Sequence, residues 1–207
     1  MAHALQSTRI VRDATLARFD KCGARRVASQ RGFTLVELAV VVVIVGILAM
    51  IAVVAYRKLI SSSRTAEATH MVNAIKVAQE AYHAETQQYA NVSTGLDNTY
   101  PAATPGRFKT AWGGACNNCN NPPTWADLPV HVDGPVEFGY ATVAGAAGNA
   151  PTPLSVSVNG QTVNFPSKSP TDFFIIEAKG DTDGNGTFCR VYGTSWTTDL
   201  FIDQDGE

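Results

Sequence analysis

The chain has 207 residues, of which 45% are hydrophobic and 16% are charged. This balance excludes a disordered chain, and four cysteines are too few for a disulfide-dense mini-domain. The net charge of −2 combines two unlike segments. Residues 1–32 carry seven Arg or Lys and two Asp, whereas residues 33–207 carry nine basic and sixteen acidic residues. Outside the first segment, the charge therefore argues against a nucleic-acid partner.

An apolar run is the dominant feature of the sequence. The eighteen residues from Leu38 to Ala55 contain no charged or hydrogen-bonding side chain. This length is sufficient for a helix that spans a bilayer and too great for a buried strand. Because the run is apolar on every side, it requires an apolar environment all around it. Glu37 stands directly before the run, where a carboxylate requires a partner.

Residues 31–37, RGFTLVE, together with the apolar run, resemble the N-terminal signature of type IV pilins and pseudopilins. The resemblance extends weakly to about residue 89. It implies that a prepilin peptidase cuts between Gly32 and Phe33 and that Phe33 becomes the methylated N-terminus. It also implies a precursor in the bacterial inner membrane, followed by an extracellular pilus or fimbrium assembled by an inner-membrane platform.

The family motif has a direct physical interpretation. After the cut, Phe33 carries an α-amino group that is largely protonated near neutral pH. In a filament of parallel apolar helices, Glu37 of one copy would pair with the Phe33 amine of a neighbouring copy. Such a pair fixes the register of packing more than it adds stability. Pilins commonly have a proline near the end of the apolar run, but Val54 stands there in this chain, so Gly46 becomes the expected weak point of the helix.

The remaining sequence predicts an α+β fold of pilin type, in which a long N-terminal helix packs on an antiparallel sheet. We expect one helix from about residue 33 to residue 89. The expected domains are a cleaved basic leader (1–32), an apolar helix (33–60), its amphipathic continuation (61–90), a loop region with some local structure (91–135) and a β-sheet head (136–207). The expected strands are 136–143, 154–158, 162–165, 173–178, 187–192 and 196–202, with a hairpin at Asn159–Gly160.

Three cysteines remain after the leader, and they suggest a structural disulfide. Cys116 and Cys119 form a C-x-x-C pair, and Cys189 lies in a predicted strand. A tetrahedral metal site lacks a second pair, haem attachment lacks a histidine at position 120, and a thioredoxin-like pattern is absent. We expect Cys189 to pair with Cys116 or Cys119, and the spacing leaves that choice open.

A short acidic segment matches half of a calcium loop. Asp181, Asp183 and Asn185 fit the pattern D-x-D-x-N-G, but Tyr192 stands where the loop requires Glu. A polar turn between two strands is the expected structure, and a Ca²⁺ site is the alternative.

The sequence contains no catalytic constellation, so we expect a structural protein and not an enzyme. The favoured hypothesis is a subunit of a type IV pilus-like filament that serves adhesion, twitching motility or DNA uptake. One alternative is a minor pilin or pseudopilin of a secretion or competence system. Another is an extracellular binding domain that is anchored to the membrane by an uncut helix.

Overall fold

The computed structural model describes residues 32–113 and 122–204. One helix precedes six strands, which confirms the α+β class. The elements are α1 (Leu35–Thr86), β1 (Gly139–Gly145), β2 (Ser155–Val158), β3 (Gln161–Asn164), β4 (Phe173–Gly180), β5 (Cys189–Thr194) and β6 (Phe201–Asp203). The chain divides into two units between Ile44 and Val45.

Helix α1 is assigned without interruption through both Gly46 and Val54. It ends at Thr86, three residues before the predicted end. The reason is local: Gln87 adopts a left-handed conformation with φ of 60°, and its N–H donates to the carbonyl of His83 at 2.8 Å. A residue of this kind closes the last turn of a helix and redirects the chain.

Four strands form one antiparallel sheet in the order β1-β4-β5-β6, and β2 and β3 form a separate hairpin. Asn159 and Gly160 have φ angles of 50° and 76°, so the predicted Asn-Gly turn is confirmed. The last two predicted strands differ from the structure: β5 begins two residues later than expected, and β6 is shorter than expected. β5 begins at Cys189 because residues 181–187 form a turn, and β6 contains three residues only.

One face of the sheet packs on the second half of α1. Met71, Val72 and Ile75 are buried against residues of the central strands, among them Phe174 and Val191. Helix α1 and strand β5 approach each other closely at Gly193, where an added Cβ would lie 2.7 Å from Cγ1 of Val72. The predicted helix-on-sheet arrangement is therefore confirmed, and a glycine in β5 permits it.

The opposite face of the sheet carries the β2–β3 hairpin as an additional layer. Val156 and Phe165 pack against Ile175 and Tyr192, and Leu96 joins the same cluster. The hairpin tip is also attached to β6, because the Asn159 side chain donates to the carbonyl of Ile202 at 3.0 Å. The sequence predicted the hairpin but not its position on this face.

The expected loop region 91–135 contains local structure within its described residues, 91–113 and 122–135. Tyr100 and Tyr140 exchange two backbone hydrogen bonds of 2.8 and 2.7 Å, so the loop covers the free edge of β1. The rings of Tyr100, Trp112, Trp125 and Tyr140 pack together, with centroid distances of 5.0–5.9 Å. Gln79 of α1 ties the start of the region, since its amide exchanges two 2.8 Å bonds with the Ala90 backbone.

The stability of this fold depends on pH through a buried carboxyl in β4. Glu177 is 1% exposed, and burial raises its pKa to about 7 despite the opposing effect of Arg190. A folded pKa above the unfolded value of 4.5 means that the folded chain keeps a proton that the unfolded chain has lost. The free energy of unfolding therefore falls as the pH rises from 4.5 to about 7.

We expect Glu177→Gln to reduce the pH-dependent fall in the free energy of unfolding by about 1–3 kcal/mol, measured by thermal unfolding of the detergent-solubilised chain. The fall is reduced and not abolished, because burial also raises the pKa of Glu137. Glu85→Gln, at an exposed position of α1, is the matched control and should leave the pH profile unchanged. An unaltered pH profile in Glu177→Gln would show that Glu177 does not titrate in this range.

Candidate processing and assembly site

The predicted cleavage site lies just before the start of α1. Gly32 and Phe33 are both exposed and both precede the first helical residue. A Cβ added at Gly32 would meet no atom within 4 Å, and Phe33 is 90% exposed. The bond between these residues is therefore accessible and lies in non-helical backbone.

Thr34 and Glu37 form a reciprocal cap at the start of the helix. The Thr34 hydroxyl accepts from the Glu37 N–H at 3.2 Å. The Glu37 carboxylate accepts from the N–H and the hydroxyl of Thr34, each at 2.9 Å. This arrangement is a capping box, which satisfies two N–H groups that would otherwise lack a partner. The signal Thr-x-x-Glu is present in the sequence, but no capping box was predicted from it.

The capping box defines where the helix begins. The first intrahelical bond runs from the Leu38 N–H to the Thr34 carbonyl at 3.1 Å, so Thr34 is the last non-helical residue. Glu37 thus has a partner, Thr34, within its own chain. From the sequence, a partner was expected only in a neighbouring copy. The expected pairing with the Phe33 amine of another copy remains a prediction.

The side chains that follow are apolar and exposed. Between Phe33 and Leu59, eighteen large hydrophobic side chains are each 52–90% exposed. Helix α1 is long and apolar enough to cross a membrane by length and composition, and none of the most apolar eighteen-residue window is buried. Burying one Val, Leu or Ile side chain contributes about 1.5–3 kcal/mol. This segment therefore requires lipid or other apolar helices around it.

The cysteine and calcium predictions concern the second unit. Cys189 is fully buried in β5, while Cys116 and Cys119 lie outside the described residues, so the disulfide stays a prediction. The Asp181 carboxylate accepts from the backbone N–H groups of Gly184 at 2.7 Å and Gly186 at 3.1 Å, which is the bonding of a polar turn.

Within residues 32–113 and 122–204, no three His, Cys, Asp or Glu side chains are grouped closely enough to hold a metal. The two carboxylates of the turn, Asp181 and Asp183, also bond the Asn185 N–H at 3.1 and 3.0 Å. The calcium alternative is thus a prediction without support from this geometry.

Comparison with known proteins identifies a family motif in the N-terminal segment. Residues 27–53 match the family model described as "Prokaryotic N-terminal methylation motif". The matched segment carries Gly32, Phe33 and Glu37. This match and the similar proteins named below support a type IV pilin or prepilin family, which agrees with the resemblance seen in the sequence.

The chain is 38% identical over 72 residues to a "Fimbrial protein" of Pseudomonas aeruginosa, which is 35% of this chain and 47% of that protein. It is 33% identical over 104 residues to the "Type IV major pilin protein PilA" of Myxococcus xanthus, or 50% of this chain and 46% of that pilin. It is 48% identical over 48 residues to the "Type IV major fimbrial protein FimA" of Dichelobacter nodosus, or 23% of this chain and 30% of FimA.

The chain thus spans less than half the length of these relatives. No solved structure matches it significantly. The family model covers the start of the N-terminal helix, whereas the sheet and the hairpin are described by their own geometry.

We expect the contribution of the Thr34–Glu37 capping box to be measurable through substitution of Thr34. Thr34→Ala removes the hydroxyl that accepts from the Glu37 amide, and loss of such a cap costs about 0.5–2 kcal/mol. Hydrogen exchange of the Glu37 amide in detergent micelles should therefore become faster by about 2–30-fold. Thr34→Ser keeps the hydroxyl and should exchange like the unaltered chain. Equal exchange in all three proteins would contradict the cap.

Proposed function

We propose that this pilin is a structural subunit of a type IV pilus-like surface filament and has no enzymatic role. A prepilin peptidase cuts between Gly32 and Phe33, Phe33 is methylated, and the inner-membrane platform adds the subunit to a filament of identical copies. The observation that supports this proposal is the exposed apolar segment of α1 directly after an accessible Gly32–Phe33 bond.

The apolar segment has two successive environments in this proposal. It lies in the lipid of the inner membrane before assembly and against the same segments of other copies afterwards. Both environments are apolar on all sides, so the free energy of the eighteen exposed hydrophobic side chains changes little when the subunit leaves the membrane. Two of the similar proteins are named major subunits, which favours this role over that of a minor pilin.

The charge of Glu37 fixes the register of the subunits. Among apolar helices, an unpaired carboxylate is strongly disfavoured, and the nearest group that can neutralise it is the Phe33 amine of the next copy. A subunit in the wrong register leaves both charges without a partner. The pair therefore acts by penalising incorrect positions.

Processing is tested by Gly32→Val. The added side chain meets no atom of the described chain, so the fold is retained while the residue before the cut becomes bulky and β-branched. We expect the intact 22.0 kDa chain to accumulate in membranes, detected by immunoblot and by N-terminal sequencing. Gly23→Val, within the leader, is the matched control and should be processed normally. Normal trimming of Gly32→Val would refute the proposed cut.

Assembly is tested by Glu37→Gln, which separates the cap from the charge. Glutamine still accepts from Thr34, so the capping box is retained, but the negative charge is lost. We expect normal cleavage and a loss of sheared surface filaments of about tenfold or more, measured by electron microscopy and immunoblot. Thr34→Ala and Glu85→Gln should both assemble. Full assembly of Glu37→Gln would contradict the role of the charge.

A further inference from the structure

A cavity of about 420 Å³ lies beside the β2–β3 hairpin and has no role in the proposed assembly. Its rim is formed by residues 95–98 on one side and by residues between Thr152 and Ser157 on the other. Its floor is formed by Glu177, Arg190 and Tyr192 of the central strands. We refer to it as the Asp97 pocket. A second cavity of about 510 Å³ shares Gly95 and Thr152 with it, so the two adjoin.

The floor of the Asp97 pocket is an ordered polar network. Glu177 and Tyr192 are 1% and 3% exposed and stand opposite each other in the register of β4 and β5. The Glu177 carboxylate accepts from the Arg190 guanidinium and from the Tyr192 hydroxyl, each at 3.2 Å. These groups lie on the hairpin face of the sheet, beside the apolar cluster that includes Val156 and Ile175.

The contribution of the Glu177–Arg190 pair to the stability of the fold does not explain its presence at this position. A buried ion pair commonly contributes no more stability than apolar residues of the same volume. Burial also raises the pKa of Glu177, which makes the carboxyl costly to ionise near neutral pH. A perturbed carboxyl that lines a cavity, next to a fixed guanidinium, is a typical feature of a binding site.

The Asp97 pocket retains unused hydrogen-bonding capacity. Only the Nη1 group of Arg190 bonds to the floor network, at 3.2 Å to Glu177 and 3.4 Å to Tyr192. Among the described residues, its Nε and Nη2 groups contact no acceptor, and a guanidinium has five donors. The rim adds the exposed carboxylate of Asp97 and the hydroxyls of Ser155 and Ser157. The cavity thus carries both hydrogen-bond donors and hydrogen-bond acceptors.

This set of groups selects the class of ligand. The exposed Asp97 carboxylate disfavours an anion, and Arg190 disfavours a cation. An apolar ligand would leave the charged floor without compensation. A neutral molecule with many hydroxyl groups can donate to Asp97 and Glu177 and accept from Arg190 at the same time. A cavity of about 420 Å³ has room for one sugar ring and its first water shell.

We propose that the Asp97 pocket binds the ring of a neutral sugar, and that the adjoining cavity accommodates a second ring. Arg190 and Glu177 bond the hydroxyls at the floor, and Asp97 bonds those at the rim. The site lies on the second unit, so the proposal goes beyond filament assembly and does not depend on it.

The test uses the full chain in a detergent without a sugar headgroup. The probes are six neutral sugars (glucose, galactose, mannose, fucose, N-acetylglucosamine and N-acetylgalactosamine) and two charged ones (sialic acid and glucosamine). Binding is measured by saturation-transfer NMR at up to about 10 mM, well above a millimolar dissociation constant. We expect at least one neutral sugar to bind and both charged sugars to bind at least about tenfold more weakly.

Two variants avoid the buried floor and therefore preserve the fold. Asp97→Ala removes the rim carboxylate and should weaken binding by about tenfold, and Ser157→Trp fills the cavity and should abolish it. Asp133→Ala and Ser167→Trp are matched substitutions at exposed positions outside the pocket and should bind normally. Thermal unfolding of all four variants verifies that they are folded.

The proposal is overturned by any of three results. The first is that no neutral sugar binds at the highest concentration. The second is that a sugar binds equally well to Ser157→Trp, which would place the site elsewhere. The third is that only the charged sugars bind, which would contradict the balance of charges around the Asp97 pocket. Each result is independent of cleavage and filament assembly, because the measurement uses the unassembled chain.

Discussion

The constraint on which the rest of this structure depends is that the first half of α1 has no polar face. Eighteen large apolar side chains between Phe33 and Leu59 are exposed in the isolated chain, and water cannot be their final environment. Lipid and a bundle of identical helices both meet the requirement. Glu37 is the one acidic residue in this segment, and it bonds to Thr34 at the point where the helix begins. In the proposed filament, the apolar surface requires apolar surroundings, and Glu37 limits the register in which neighbouring helices pack.

The second half of α1 satisfies its own apolar surface within the chain. Met71, Val72 and Ile75 pack on the sheet, and the buried Gln79 amide ties the helix to the residues that follow it. The opposite face of the sheet is covered by the hairpin, which leaves space for the Asp97 pocket beside it. One part of the molecule thus exposes an apolar helix, while the other presents a folded surface that contains the Asp97 pocket.

The long helix, the α+β class and the Asn159–Gly160 hairpin could be predicted from the sequence because each depends on local properties of the chain. The site of cleavage and the acid were predicted from a short motif, although the capping role of Glu37 required the geometry of Thr34. The position of the hairpin could not be predicted, since alternation shows that Val156 is buried but not which surface buries it. Glu177 stands in an apolar strand, and nothing in the sequence indicates that Arg190 and Tyr192 of the neighbouring strand meet it. Such contacts arise only from the register of β4 and β5.

The central claim is that the apolar helix is cleaved from its cationic leader and then moves from the lipid of the membrane into contact with the helices of other copies. The most direct measurement is the intact mass of the chain recovered from sheared surface filaments. The account predicts a chain that begins at Phe33 and carries one additional methyl group at its amino terminus. A surface filament built from chains that still contain residues 1–32, or the absence of the chain from any surface filament, would contradict it.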